Sequence, residues 1–280
     1  MITFSNKKNQ LVAAIVMFLV LVGLVSYGYN TSSANVLARG LKRILPAALV
    51  SGSALSIYDI EENLRILKRL EPNVSGEFAY DSLIERTKAK ILASDLRLAW
   101  EDKIKYEETF YIKSQPIEYD KLVAHAFSGD INLFIKYVVE PSAVDAALRI
   151  YFNSDYRINK QAYDRASGLL TDVLAGADFA DTAKQHSDDK VSGQFGGDLG
   201  FFSDSELLPE LQDQIGKGPM GEVQRGVFIS RLGYHIVWPL ETAEKDGQKL
   251  WHAKHILIQT EGFEAWLDQN TADIKVWKIQ

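Results

Sequence analysis

The chain has 280 residues, enough for one large or two ordinary domains, and its 46% hydrophobic and 24% charged content is that of a globular protein. A formal net charge of −6 argues against a nucleic-acid partner, because phosphate binding needs a basic surface. The absence of cysteine excludes thiol catalysis, disulfides and cysteine-ligated zinc.

The N-terminal stretch "KKNQLVAAIVMFLVLVGLVSYGY" sets Lys7 and Lys8 before an uncharged run from Leu11 to Tyr29. Its length is close to the ~20 residues that span a bilayer as a helix. Residues 1–30 are therefore expected to be a single-pass anchor. A cleaved signal peptide and a buried helix are the other readings. Lys7 and Lys8 favour a cytoplasmic N-terminus, while Arg39, Lys42 and Arg43 lie on the other side. Residues 31–54 read as a linker.

From Ser56 the texture is helical. "SIYDIEENLRILKRLEP" spaces Ile57, Ile60, Leu64, Leu67 and Leu70 on a helical period, opens with a Ser56/Asp59 capping box and closes at Pro72. "YDSLIERTKAKILASDLRLAWEDKI" predicts a second long helix, and shorter ones follow at 117–127, at 130–139 and from Pro141. Residues 55–157 thus read as an all-helical domain. Residues 158–280 read as α+β with an antiparallel sheet. They contain helices over 159–176 and 177–187, a glycine-rich stretch with one short helix near 207–215, strands "GVFIS" and "GYHIVWPLE", and a "KDGQ" hairpin turn. The strand "HAKHILIQT", a short helix "FEAWLDQN" and a last strand "IKVWKI" finish the chain.

The five histidines, 125, 186, 235, 252 and 255, form no metal-binding pattern, and no nucleophile elbow, P-loop or dinucleotide fingerprint occurs. No metal or cofactor is expected. An ordered set does stand out: "GADFADTAKQHSDD", "GGDLGFF", "LLPEL", "GEV" and "RLGYHIV". Over Asn159–Leu240 it resembles the parvulin family of peptidyl-prolyl cis–trans isomerases. The preceding helices are similar, more loosely, to the chaperone portion of SurA/PrsA-type extracytoplasmic foldases.

The resemblance implies an isomerase and folding factor at the cell membrane, with the bulk of the chain extracytoplasmic and unfolded or proline-containing polypeptides as clients. The alternative is a holdase whose parvulin domain only binds peptide. Carried over by motif, the polar site residues are His235 of "GYHI" and Asp189 of "HSDD". The proline-binding residues are Leu199 of "GGDLG" with Leu207 and Leu211 of "LLPEL". Leucines at those last two positions lack the aromatic wall that the family usually has there.

The family's opening strand, x-H-I-L, is missing from its usual place, where "AALRIYFNSDYRI" puts Arg149 in a helical pattern. The phrase recurs at the C-terminus as "AKHILI", which makes His255 the third polar candidate. A circularly permuted sheet would set this strand antiparallel to "GYHIVWPLE". The stub of a second repeat and an unrelated edge strand are the rival readings. Plain structural roles compete throughout: satisfied core histidines, Asp189 as a turn cap, and the leucines as ordinary core.

Overall fold

The computed structural model describes residues 36–114 and 116–279, together with a few positions between 22 and 31. The run read as a membrane anchor, Leu11–Tyr29, lies almost wholly outside the described residues. Among the described residues no single helix is long and apolar enough to cross a membrane. The chain divides into two compact units, Met1–Lys88 with Ala272–Gln280, and Ala89–Thr271.

In the first unit the described part of the segment expected as a linker, residues 36–54, is ordered. It forms helix α1 (Val36–Ile44) and a hairpin of β1 (Pro46–Val50) and β2 (Ser53–Ser56). Ser51 and Gly52 both take positive φ, 47° and 90°, in the tight turn between the strands. The strands are alanine-rich, a composition with little β-propensity, which is why they did not register as strands. Helix α2 (Ile57–Leu70) carries the expected capping box, Ser56 bonding the Asp59 N–H and Asp59 bonding the Ser56 N–H. Helix α3 (Gly76–Asp95) follows. Buried Asn63 ties the two helices by donating to Ala79 O at 2.7 Å. The last strand, Val276–Lys278, pairs antiparallel with β1, so the expected strand "IKVWKI" adds to this small sheet and not to that of the second unit.

The second unit combines helices with a four-stranded antiparallel sheet. The expected helix over 80–104 stops at Asp95, where Arg97 turns to φ 55°. The chain resumes as α4 (Ile104–Ser114), α5 (Pro116–Ala126), α6 (Ile131–Phe134), a π-turn over Ile135–Val139 and α7 (Glu140–Ser154). Phe152 of α7 meets Phe263 edge-on at 5.7 Å within a core that also holds Leu92, Trp100, Val144 and Leu148. Arg149 is on α7, where it pairs with Asp145 and Glu264, as the helical reading of that segment required.

Next come α8 (Lys160–Leu174), α9 (Phe179–His186), α10 (Lys190–Gly193), β3 (Asp198–Phe202), α11 (Pro209–Lys217), β4 (Phe228–Ser230), β5 (Gly233–Lys245), β6 (Gln248–Gln259) and α12 (Phe263–Thr271). The sheet order is β3-β6-β5-β4. Strands β5 and β6 make a long hairpin around Asp246 and Gly247, at φ 54° and 75°, so "KDGQ" is the turn that its chemistry suggested. A register shift falls between Pro239 and Glu241, next to the one residue with no N–H to give the ladder. One face of the sheet packs Tyr234, Ile236, Ile256 and Ile258 on Ala166, Val173, Phe179 and Ala183 of α8 and α9. The other face carries the candidate site.

Strand β3 was hidden in glycine texture. The glycines before it serve close approach: a Cβ on Gly197, at φ 79°, would stand 2.2 Å from the His255 carbonyl oxygen. That proximity lets the His255 N–H donate to Gly197 O at 2.9 Å. "GGDLG" is thus the entry to a strand.

Candidate active site

The hairpin register generates the site. His235 faces Leu257 across the ladder and His255 faces Val237, so the two histidines are diagonal neighbours on one face, within side-chain reach. Their Nδ1 atoms are 3.2 Å apart and their rings lie 25° from parallel. Both are buried.

Asp189 arrives from the loop after α9. Along β6, beyond the residues paired with β3, this loop takes up the strand's backbone groups. The Asp188 N–H donates to Leu257 O at 2.7 Å, Ser187 Oγ accepts from the Leu257 N–H at 3.1 Å, and the Gln259 N–H donates to Asp188 at 3.0 Å. Asp189 then caps α10, accepting from the Val191 and Ser192 N–H groups. Its Oδ2 lies 2.9 Å from His255 Nε2 and 2.6 Å from Ser192 Oγ. The capping role weighed for Asp189 and its histidine contact are therefore both real. On the far side, Ser230 Oγ sits 2.7 Å from His235 Nε2 and accepts from the Leu232 N–H.

One proton arrangement satisfies this chain when both rings are neutral. The His255 hydrogen bond, with those of Ser192 and Val191, holds the Asp189 carboxyl far below the usual carboxylate range, so it accepts only. His255 then donates from Nε2 to Asp189 and accepts at Nδ1 from the His235 Nδ1–H. His235 Nε2 in turn accepts the Ser230 hydroxyl proton. Every ring nitrogen has a partner, which is what a buried pair requires.

Burial, reinforced by the nearby His255, pushes His235 down to about 3. Unfolded, it titrates near ~6.5. The folded state therefore binds fewer protons, and stability is lost as pH falls from about 6.5 toward about 3, at up to about 1.4 kcal/mol per pH unit. Asp189, also held low, adds its loss only below about pH 4. Urea midpoints from pH 7 to 4.5 are expected to decline steadily for the wild type and to flatten for His235→Leu. Parallel profiles for the two proteins would contradict this assignment.

Beside the network, on the same face, lies an apolar cluster of Phe202, Ile215, Val237 and Ala253, with half-buried Leu199, Leu207, Phe228 and Trp251 packed on it. Leu199 and Leu207 are thus brought together. Leu211 is buried on α11 and stands outside this cluster. Phe228 and Trp251 supply aromatic surface that the leucines of "LLPEL" do not. The indole N–H of Trp251 donates to Asp204 at 2.6 Å, and Lys249 sits 3.7 Å over its ring.

Sequence reasoning passed over Phe228, Trp251, Ser192 and Ser230. Period-two counting back from His255 reaches Ala253 and Trp251, and a two-residue "RL" turn pairs Phe228 with His235, so both aromatics were legible once the hairpin was assumed. Of the other histidines, His252 points to the opposite face from His255, where it meets Asp198 at 2.9 Å and lies tilted against the Phe201 ring at 4.7 Å.

The site thus combines an antiparallel sheet, a buried histidine pair, an aspartate bonded to one of them and an adjoining apolar cluster. Residues 140–243 match the PPIC-type PPIASE domain. The chain is 30% identical over 111 residues to Chaperone SurA of Nitrosococcus oceani, covering 38% of this chain and 26% of that protein. It is 34% identical over 126 residues to Chaperone SurA of Saccharophagus degradans, covering 41% and 29%. To Foldase protein PrsA of Geobacillus it is 32% identical over 136 residues, covering 45% and 48%. The chain therefore carries a parvulin-type domain and is related to the SurA and PrsA folding factors, although each match spans less than half of the relative's length.

Proposed function

We propose that the protein is a peptidyl-prolyl isomerase and folding factor for exported polypeptides, held at the extracytoplasmic side of the membrane by its N-terminal segment. The observation that carries this reading is the Asp189–His255–His235–Ser230 chain lying on the same sheet face as the apolar cluster. Rotation about a peptide C–N bond faces a barrier of ~18–20 kcal/mol, and no bond is made or broken. The catalyst has to bind the twisted amide better than the planar one. In this reading Leu199, Leu207, Phe228 and Trp251 grip the proline ring and exclude water, which favours the less polar twisted state. His235, His255 and Asp189 fix the polar floor beneath the amide.

The sheet on this reading is circularly permuted. The strand carrying His255 supplies the place of the family's opening strand, although it follows the matched residues 140–243 in sequence. What motivates this reading is the antiparallel pairing of β5 and β6 with the histidine contact, which speaks against an unrelated edge strand and is equally what a repeat stub filling that place would give.

The holdase reading predicts peptide binding without rate enhancement. A protease-coupled assay on a prolyl peptide, run with the full chain, distinguishes them. Acceleration over the uncatalysed rate is expected. Intact suppression of client aggregation with no acceleration would leave the holdase. If Trp251 forms the proline wall, Trp251→Ala raises KM about 3- to 10-fold with a smaller change in kcat, the loss expected from part of an apolar pocket. An unchanged KM would remove Trp251 from the pocket.

A further inference from the structure

Away from the histidine network, α4 and the start of α11 border a second feature. Arg231 follows Ser230 and is gripped by two carboxylates. Its Nη1 donates to Glu107 Oε2 at 3.0 Å and its Nη2 to Glu107 Oε1, while Nε and Nη2 both donate to Glu210 Oε1, at 3.0 and 2.8 Å. The two glutamate side chains are only 3% and 7% exposed. One guanidinium between two carboxylates leaves one negative charge uncompensated. All of that asymmetry falls on Glu210, whose Oε2 is buried without a hydrogen-bond partner. Such an atom is costly to keep, because charges out of water need their partners.

Glu107, Glu210 and Arg231 line a cavity of about 590 Å³, within the size range of ligand pockets. Asp102 and Lys103, also in its lining, cancel each other in charge. Tyr106 and Tyr151 give it exposed aromatic surface. We propose that this cavity is a subsite for a cationic side chain, lysine or arginine, of a client polypeptide; the identity of the client rests on the folding-factor reading above. A lysine presents an apolar stem that packs along tyrosine rings and an ammonium with three donors. An ammonium held in the cavity sits beside the Glu107–Arg231–Glu210 row and brings its charge sum to zero. An anionic or neutral side chain does not.

The test uses calorimetric titration of the full chain at low ionic strength with two short peptides that differ only in lysine against norleucine. The lysine peptide is expected to bind about tenfold more tightly, the scale of one charge-assisted hydrogen bond. Glu210→Gln is expected to abolish that difference, and thermal unfolding of the variant shows whether it is folded. Should it not fold, a third peptide carrying Nε-acetyl-lysine replaces it, and on wild type this peptide is expected to bind like norleucine. Equal affinity for lysine and norleucine, or for lysine and acetyl-lysine, overturns the subsite. Prolyl isomerisation is measured separately: a protein that discriminates lysine but does not isomerise keeps the subsite and loses the isomerase reading.

Discussion

Replacing His255 by alanine is expected to cost about 2–4 kcal/mol of folding stability, most of it through groups left behind. His235 would keep a buried Nδ1–H with nothing to receive it, and Asp189 would lose the donor that contributes most to holding it ionised. Removing both histidines should cost much less than the sum of the single changes, because the second loss deletes an atom already orphaned. A double-mutant cycle by urea unfolding checks this, with a coupling of about 1–2 kcal/mol expected between the sites. Additive effects would mean that the two rings stabilise the sheet independently.

Gly197→Val is expected to destabilise the domain by more than about 4 kcal/mol, the range reserved for strain combined with steric conflict. Two penalties coincide there. The backbone is left-handed, and the new Cβ would meet backbone oxygen at 2.2 Å, with no flexible side chain to yield. Gly200 is the internal control. Its φ is also positive, at 66°, but nothing lies within 4 Å of its Cβ position. Gly200→Ala should therefore show the conformational term alone, about 1–2 kcal/mol. Similar losses for Gly197→Ala and Gly200→Ala would show that close packing of β3 on β6 is not what these glycines serve.

The sites of legibility follow the physics of each segment. The hairpin of β5 and β6 was readable because its turn is asparagine-like chemistry in miniature: an aspartate and a glycine, both suited to positive φ, between two alternating apolar runs. Once that turn is granted, the meeting of His235 and His255 follows from register. Helices α2, α7, α8 and α9 were all expected from the sequence, α2 together with the Ser56/Asp59 capping box that the structure contains. Three things were not readable. The β1–β2 hairpin is built from alanine and serine, so its pattern carries little contrast. Strand β3 begins in glycines whose purpose is a backbone contact that only tertiary structure reveals. The pairing of the last strand with β1 joins residues more than two hundred positions apart, and no local signal encodes such a partner. The same limit explains the site. Asp189 was found by motif, but Glu107, which grips Arg231 from 124 residues away, carries no motif at all.

The central claim is that the strand delivered by the C-terminal part of the chain completes an isomerase site. The most direct test is kcat/KM for a prolyl tetrapeptide, measured on folded wild type and on His255→Gln, with His235→Gln alongside. The account predicts wild-type catalysis well above the uncatalysed rate, and a fall of about tenfold in both variants, the size expected for loss of one hydrogen bond of about 1.4 kcal/mol in the positioning network. An active enzyme whose rate is untouched by His255→Gln, while His235→Gln impairs it, would contradict the account and return that strand to a purely structural role.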